Sequence, residues 1–361
     1  MIKITPHYFD KFVCIASECV DNCCFGGWQI DIDDDTLDYY RKVEGDFGKR
    51  LRDAIDEEEH CFRLKNGVCP FLDVNNLCGI YGELGPEHMG VVCTQFPRFT
   101  EYYGQAKETG IGLACEEACR IILDDSEKFT LIEQETDEEV YEDAEFDGRL
   151  YDALRAVRLQ FFDIVQNETF DLKQILAILL YNCHEIQHLV NANDYYALSA
   201  YEIKRDVPGE HAENEDYLET MNAIWCAYSQ LDPLDDKWER TVDAAFSQLE
   251  KKNEYIKKVK NFELNYPDSE RDYRKILNYY LFRYFLKASY DHDVYGKAQF
   301  AATALMAQRD MELLGMFADR REVIHVFSRQ VEYLEDSLDI LSEEFLFDEC
   351  FKWEKLRNIF A

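Results

Sequence analysis

Beyond residue 150, apolar side chains recur every three or four positions: Leu154, Val157, Phe161, Ile164 and Val165, then Ile175, Leu176, Leu179 and Leu180, then Tyr279, Phe282, Phe285 and Leu286. That spacing places each set on one face of a helix and predicts an α-helical body over 151–361. Pro208-Gly209, Asp232-Pro233 and Tyr266-Pro267 punctuate it. The first 120 residues read differently. Trp28 to Ile32 alternates like a short strand, Thr36 to Arg41 starts a helix with acids in its first turn, and Phe47 to Glu59 is predicted helical. Between the two parts, 124–150 is an acidic run containing Glu133, Glu135, Asp137, Glu138, Glu139, Glu142, Asp143 and Glu145, read as a solvated connection or an exposed helix face. The expected fold class is mainly α: a loop-rich, cysteine-bearing module over 1–123 packed on a helical body.

Cysteine usage sharpens this division. Ten of thirteen cysteines, twelve of sixteen glycines and four of seven prolines precede residue 120. A segment so rich in turns has little regular structure to bury, and a bound metal is the expected staple. No stretch reaches the roughly 18 to 20 apolar residues of a membrane span, the run Ile175 to Tyr181 included. Met1 to Asp10 lacks a basic start followed by an apolar segment. The expectation is a cytoplasmic chain, where thiols stay reduced and metal ligation is preferred over disulfides. With 39 basic and 73 acidic residues the formal charge is −34, which opposes nucleic acid and anionic membranes and favours cationic partners, or serves solubility alone.

The thiols fall in a pattern: Cys14-x4-Cys19-x3-Cys23-Cys24, then Cys69-Pro-Phe-Leu-x5-Cys78, then Cys93-x2-Phe96-Pro97, then Cys115-x3-Cys119. Closely spaced loop cysteines converge on one centre because thiolates must surround the metal, and four of them suit zinc and an iron–sulfur cluster alike. Candidate ligands are Cys19, Cys23, Cys24, Cys69, Cys78, Cys93 and Cys115. Adjacent Cys23 and Cys24 point apart in an extended segment, so one of the two is expected on a given centre. Cys14 and Cys119 read equally well as buried thiols, and Cys61, Cys183, Cys226 and Cys350 as core.

These residues carry a family resemblance. Phe12-x-Cys14-x4-Cys19-x3-Cys23-Cys24-x3-Trp28-x-Ile30, Cys69-Pro70-Phe71-Leu72, Leu77-Cys78-x-Ile80, Glu83-Leu84-Gly85, Cys93-x2-Phe96-Pro97-Arg98 and Leu113-x-Cys115 resemble the flagellin lysine-N-methylase family, within a wider group of zinc- or iron-chelating cysteine-cluster proteins. The likeness is specific over about 8–123 and weaker at Asn278 to Phe282 and at Tyr290-Asp291. It implies transfer of methyl groups from S-adenosylmethionine to lysines of flagellin by a protein carrying a 4Fe-4S cluster. The chain departs from the family by having Ala114-Cys115-Glu116 in place of Ser-Cys-Pro, and by the extra Cys119. From the residues themselves no donor site emerges. No Gly-x-Gly-x-x-Gly follows a strand, and the radical pattern Cys-x3-Cys-x2-Cys fails at Gly26.

His184-Glu185-Ile186-Gln187-His188 matches H-E-x-x-H, the zinc-protease helix motif, with Glu202 as a conceivable third ligand. The preferred reading is an ordinary amphipathic helix. His7, His60, His88, His211, His292 and His325 have no partner at ligand spacing, and the aromatics Tyr279, Tyr280, Phe282, Tyr284 and Phe285 read as packing. Neither a Gly-x-Ser-x-Gly elbow nor a phosphate-cradling loop ending in Lys-Ser/Thr occurs. The expectation is therefore a lysine methyltransferase with flagellin as substrate. The alternatives are a non-enzymatic zinc or iron–sulfur module and, after it, a metalloprotease.

Overall fold

The computed structural model describes residues 1–140, 143–207, 213–334 and 336–360, with backbone alone at 263 and 360. His211 and the Pro208-Gly209 break lie outside the described residues, as does Glu142.

The first half runs β1 (Ile2–Pro6), α1 (Asp34–Lys42), α2 (Gly45–Ala54), β2 (Ile55–Asp56), β3 (Cys61–Phe62), α3 (Gly79–Leu84), α4 (Val91–Gln95), β4 (Arg98–Tyr103), β5 (Ala106–Ile111), α5 (Glu116–Asp124) and β6 (Leu131–Glu135). The helix expected from Thr36 is α1, capped by the Asp33 carboxylate on the Thr36 amide. The helix expected over Phe47 to Glu59 stops at Ala54, where the chain turns into the β2–β3 hairpin. Trp28 to Ile32 is extended, but only Asp31 is bridged, to Cys61. Hydrogen bonds from Phe62 to Ile30 and from Ile32 to His60 hold the segment beside the hairpin.

A four-stranded sheet in the order β4-β5-β1-β6 is absent from the sequence reading. β1 runs parallel to β5 and antiparallel to β6. Residues between Pro6 and Arg98 thus form an excursion that leaves the sheet after β1 and returns at β4. β4 and β5 join through Gly104 and Gln105, a two-residue turn in which Gly104 takes φ +60°. Part of the acidic run is therefore β6, an edge strand whose exposed glutamates shield it from further pairing.

The second half is helical: α6 (Gly148–Val165), α7 (Leu172–Asn191), α8 (Tyr195–Ser199), α9 (Asn214–Tyr228), α10 (Asp236–Glu250), α11 (Lys252–Lys260), α12 (Phe262–Asn265), α13 (Ser269–Tyr284), α14 (Ala288–Asp291), α15 (Val294–Leu314), α16 (Arg320–Glu332), α17 (Ser337–Phe347) and α18 (Trp353–Leu356). The mainly α class holds, and the predicted apolar stripes of α6, α7 and α13 are all buried. α15 is the axis of the body, packed against α7, α13, α10, α16 and α17. Its alanines at 298, 301, 302, 304 and 307 let neighbours approach on several sides. Several of its buried polar groups are bonded: Gln308 donates to Tyr280 at 2.6 Å, and Asp310 accepts from Trp225 at 3.2 Å and from Tyr255 at 2.9 Å.

Two apolar cores result. The larger joins the helical body to the sheet and α5, through Ile4, Tyr8, Phe12, Tyr103, Ile111, Leu113 and Ile122. The smaller belongs to the excursion and contains Ile30, Ile32, Leu37, Tyr40, Leu51, Ile55, Phe62, Cys69, Phe71 and Ile80. A buried ion pair ties sheet to body. Fully buried Arg158 on α6 holds Glu108 of β5 with both terminal guanidinium nitrogens, and also reaches the Phe282 carbonyl at 3.2 Å. No helix among the described residues is long and apolar enough to cross a membrane.

Candidate metal centre

The seven predicted thiols come from separate segments, and electrostatic contact links them. The Cys24 thiol interacts with both Cys23 and Cys69. Cys23 in turn feels Cys69, Cys93 feels Cys69, Cys23 and Cys78, Cys115 feels Cys23, and Cys19 feels Cys115 and Cys23. Cys23 and Cys93 are exposed, Cys69 is buried, and the other four are half-buried. Cys23 and Cys24 both feel Cys69. The short 3-10 turn over Cys23–Phe25, capped by Asn22 on the Cys24 amide, replaces the extended segment expected at this pair.

Three of these cysteines share a local device. The amides of Phe71 and Leu72 act to lower Cys69, those of Ile80 and Tyr81 to lower Cys78, and those of Glu117 and Ala118 to lower Cys115. Cys78 and Cys115 are the residues that precede α3 and α5, so the amides at each helix start lie near the sulfur, although neither sulfur caps its helix with a hydrogen bond. Nearby amides of this kind favour the thiolate that metals require. The neighbouring Cys24 thiol brings Cys69 down to about 7, against burial and with help from nearby amides and Arg50. Cys24 also lowers Cys23, helped by Arg329, and is itself raised. Burial pushes Cys115 up to about 11, and burial with a hydrogen bond to Glu116 raises Cys19.

Among the described residues no three His, Cys, Asp or Glu side chains stand close enough to enclose one metal ion. A cluster spreads its ligands over a wider frame than a single ion, and an all-thiol donor set with nearby backbone amides suits it chemically. The residues present therefore fit such a group.

What positions these loops came mostly from outside the cysteine pattern. Glu116 accepts from the Cys19 thiol at 3.2 Å and from the amides of Val20 at 2.9 Å and Asp21 at 3.2 Å. This carboxylate clamps the first cysteine loop to the start of α5. From the body, α16 extends Arg329, whose guanidinium donates to Asp21 at 2.5 Å and to the Gly26 carbonyl at 3.0 Å and lies over Trp28. His325 meets Asp21 at 3.0 Å. Together they hold the Asp21 carboxyl down to about 2 although burial opposes it. Trp28 packs against Phe96 and Tyr333, joining the first loop to the Cys93-x2-Phe96-Pro97 segment, whose Phe96-Pro97 bond is cis. Gly26 leaves room for that indole: a Cβ there falls 2.3 Å from it. The signal for these residues was weak, since a lone Arg, His or Glu on a helix carries no spacing rule.

The remaining thiols divide. Cys119 and Cys183 are buried as core, and Cys61 and Cys350 are half-buried. Cys14 is exposed, and so is Cys226, which corrects its core reading. His184 and His188 do face each other on α7, but Glu185 is drawn to Lys204 at 2.7 Å, and Glu202 lines a different hollow with Gln160, Asp163 and Arg205. That hollow, about 540 Å³, is lined by no cysteine. A smaller one of about 150 Å³ lies where the first cysteine loop meets the body, between Asp21, Phe25, Leu234, Lys237, Trp238 and Arg329. It is nearer the chemistry and the more relevant of the two. It is also smaller than the usual 300 to 1,000 Å³ of a ligand pocket.

Comparison with known proteins addresses the body. The family described as FliB lysine N-methylase C-terminal domain matches residues 158–358, more than half of the chain. The chain belongs to the FliB lysine N-methylase family. Family character thus extends well beyond the Asn278 to Asp291 segment noted in the sequence. A lysine-N-methylase of Salmonella typhimurium is 28% identical over 143 residues, 36% of this chain and 34% of that protein. The flagellar biosynthetic protein FliU of Salmonella muenchen is 29% identical over 140 residues, 36% of this chain and 82% of that one. The match spans only about a third of the length of the lysine-N-methylase relative. No solved structure matches.

Proposed function

We propose that the chain is a protein lysine methyltransferase that takes methyl groups from S-adenosylmethionine, acts on flagellin, and carries a 4Fe-4S cluster on its cysteine loops. The observation that carries this reading is a family-typical helical body whose α16 grips, through Arg329 and His325, the loop bearing Cys19, Cys23 and Cys24. Cys19, Cys23, Cys24, Cys69, Cys78, Cys93 and Cys115 are the residues from which four ligands would be drawn. When bound, a cluster supplies one-electron chemistry or a covalent cross-link between loops that share only a small core. The amides near Cys69, Cys78 and Cys115 act in favour of the thiolate, which burial opposes and outweighs at Cys78 and Cys115, and Glu116 and Arg329 fix the approach of the first loop. The formal charge of −34 supports attraction of a lysine-bearing, cationic segment, a force screened over about 10 Å at 0.1 M salt.

The decisive experiment is mass spectrometry of flagellin from cells with and without the gene, together with transfer of labelled methyl groups from S-adenosylmethionine to flagellin by anaerobically purified protein. Methylation that depends on the gene is the expected result, and identical lysine methylation in both strains refutes the activity. Iron and sulfide analysis addresses the cofactor separately: Cys78→Ala or Cys93→Ala should strip metal and Cys226→Ala should not. Bound metal without methyl transfer would favour the non-enzymatic module.

A further inference from the structure

The histidine pair of α7 remains outside this function. His184 and His188 lie one turn apart, and their Nε2 atoms are 3.4 Å from each other. Two imidazole nitrogens bound to one tetrahedral zinc at 2.0 to 2.1 Å stand about 3.3 to 3.4 Å apart. The pair is therefore already at chelating separation. Its setting is stiff. Tyr295 packs edge-on against the His184 ring, with centroids 5.5 Å apart, and its hydroxyl donates to the Phe351 carbonyl at 3.2 Å. Between the histidines, Gln187 accepts the Val294 amide at 2.8 Å and the Tyr295 amide at 3.0 Å, and donates to the His292 carbonyl at 2.9 Å. That clamp fixes α7 against the start of α15. At the C-terminal side of the motif, His188 is exposed, so an ion reaches the pair from solvent.

We infer that His184 and His188 form a second metal site, a two-histidine chelate on the surface of α7 for a borderline divalent ion of the zinc, nickel or copper(II) type. Imidazole nitrogen selects such ions over magnesium and calcium, which take oxygen ligands. No third His, Cys, Asp or Glu completes the set among the described residues, so solvent occupies the other positions and the site is open. Glu185 is paired with Lys204 and is not a ligand, which separates this site from the protease chemistry its motif suggests. Binding braces one turn of the helix that packs against the axis of the body.

Zinc titration calorimetry on the full-length protein with its cysteine centre loaded tests this. The native protein should take up one zinc ion more than His184→Ala or His188→Ala. Loss of a ligand should cost at least the roughly 10- to 100-fold that loss of a supporting partner costs. Glu185→Gln should keep the extra ion. Equal uptake by the native protein and both histidine variants overturns the site and leaves a simple hydrogen bond between the rings. Loss of the ion in Glu185→Gln overturns the two-histidine ligand set. Hydrogen exchange of the native protein provides a measurement free of substitutions: zinc should slow exchange at 184–188, and unchanged rates there refute the chelate.

Discussion

Replacing Arg329 by Leu removes the link between the helical body and the first cysteine loop, and its consequence can be estimated from the contacts. The guanidinium makes two charge-assisted hydrogen bonds, to Asp21 and to the Gly26 carbonyl, and covers the face of Trp28. Bonds of this kind contribute about 1.5 to 3 kcal/mol each when buried. The Asp21 side chain is 39% exposed and keeps His325, so that bond is discounted to about 1 kcal/mol. With about 0.5 to 1 kcal/mol for the cation over the indole, the loop loses roughly 3 kcal/mol of its attachment. At 1.4 kcal/mol per tenfold, it should open about 100-fold more often. The assay is the rate of thiol alkylation, residue by residue, by mass spectrometry at matched metal content. Half-buried Cys19 and Cys24 should react about 100-fold faster, while exposed Cys23 changes little and buried Cys119 and Cys183 stay protected. Arg329→Lys should recover only part, since an ammonium cannot bridge the same partners in one plane. Unchanged rates at Cys19 and Cys24 in a folded Arg329→Leu protein would refute the idea that α16 holds this loop.

Three further outcomes follow from particular contacts. Glu108→Gln strands the buried Arg158 charge and should destabilise the protein by about 3 to 5 kcal/mol, read as a lower urea midpoint; replacing both partners by Leu and Met should recover most of the loss, and a smaller loss from Glu108→Gln than from the double variant would contradict the pairing. Gly112→Ala places a methyl 2.0 Å from the Tyr333 hydroxyl and 3.1 Å from Arg283, so about 1 to 3 kcal/mol of overpacking should appear as a lower Tm. Asp147 caps α6 through the Leu150 and Arg149 amides and accepts from Tyr195, which together hold its carboxyl below the usual range despite partial burial. Its stabilisation is thus full above the unfolded value of about 3.9 and fades as pH falls through the lower folded value; Asp147→Ala should flatten acid unfolding in that window, and an unchanged profile would assign the acid sensitivity elsewhere.

Periodicity and spacing reported what is local. Helices α6, α7 and α13 were legible because their apolar residues repeat on one face, and α1 because acids precede its stripe. The cysteine candidates were legible because thiols cluster along the chain. Long-range pairing was not. β1 alternates only over the four residues Ile2 to Thr5 and pairs with β5 across about a hundred residues, β5 is a polar strand that buries Glu108, and β6 hides in an acidic run, so no local pattern announces the sheet. α15 also escaped, because a helix buried on every side has no single apolar face, and its polar residues are held by partners from other helices.

The sequence by itself determined the family, the helical class and the set of thiols, since each rests on residue type and short spacing. Tertiary structure decided which distant groups serve that set. Glu116 clamps the first loop because β1 and β5 bring the two ends of the excursion together beside α5. Arg329 reaches the same loop from about 300 positions away because α16 packs on α5. Hydrogen bonds and ion pairs act over about 3 Å whatever the separation along the chain. Only the packing of the two cores could bring these partners within that distance.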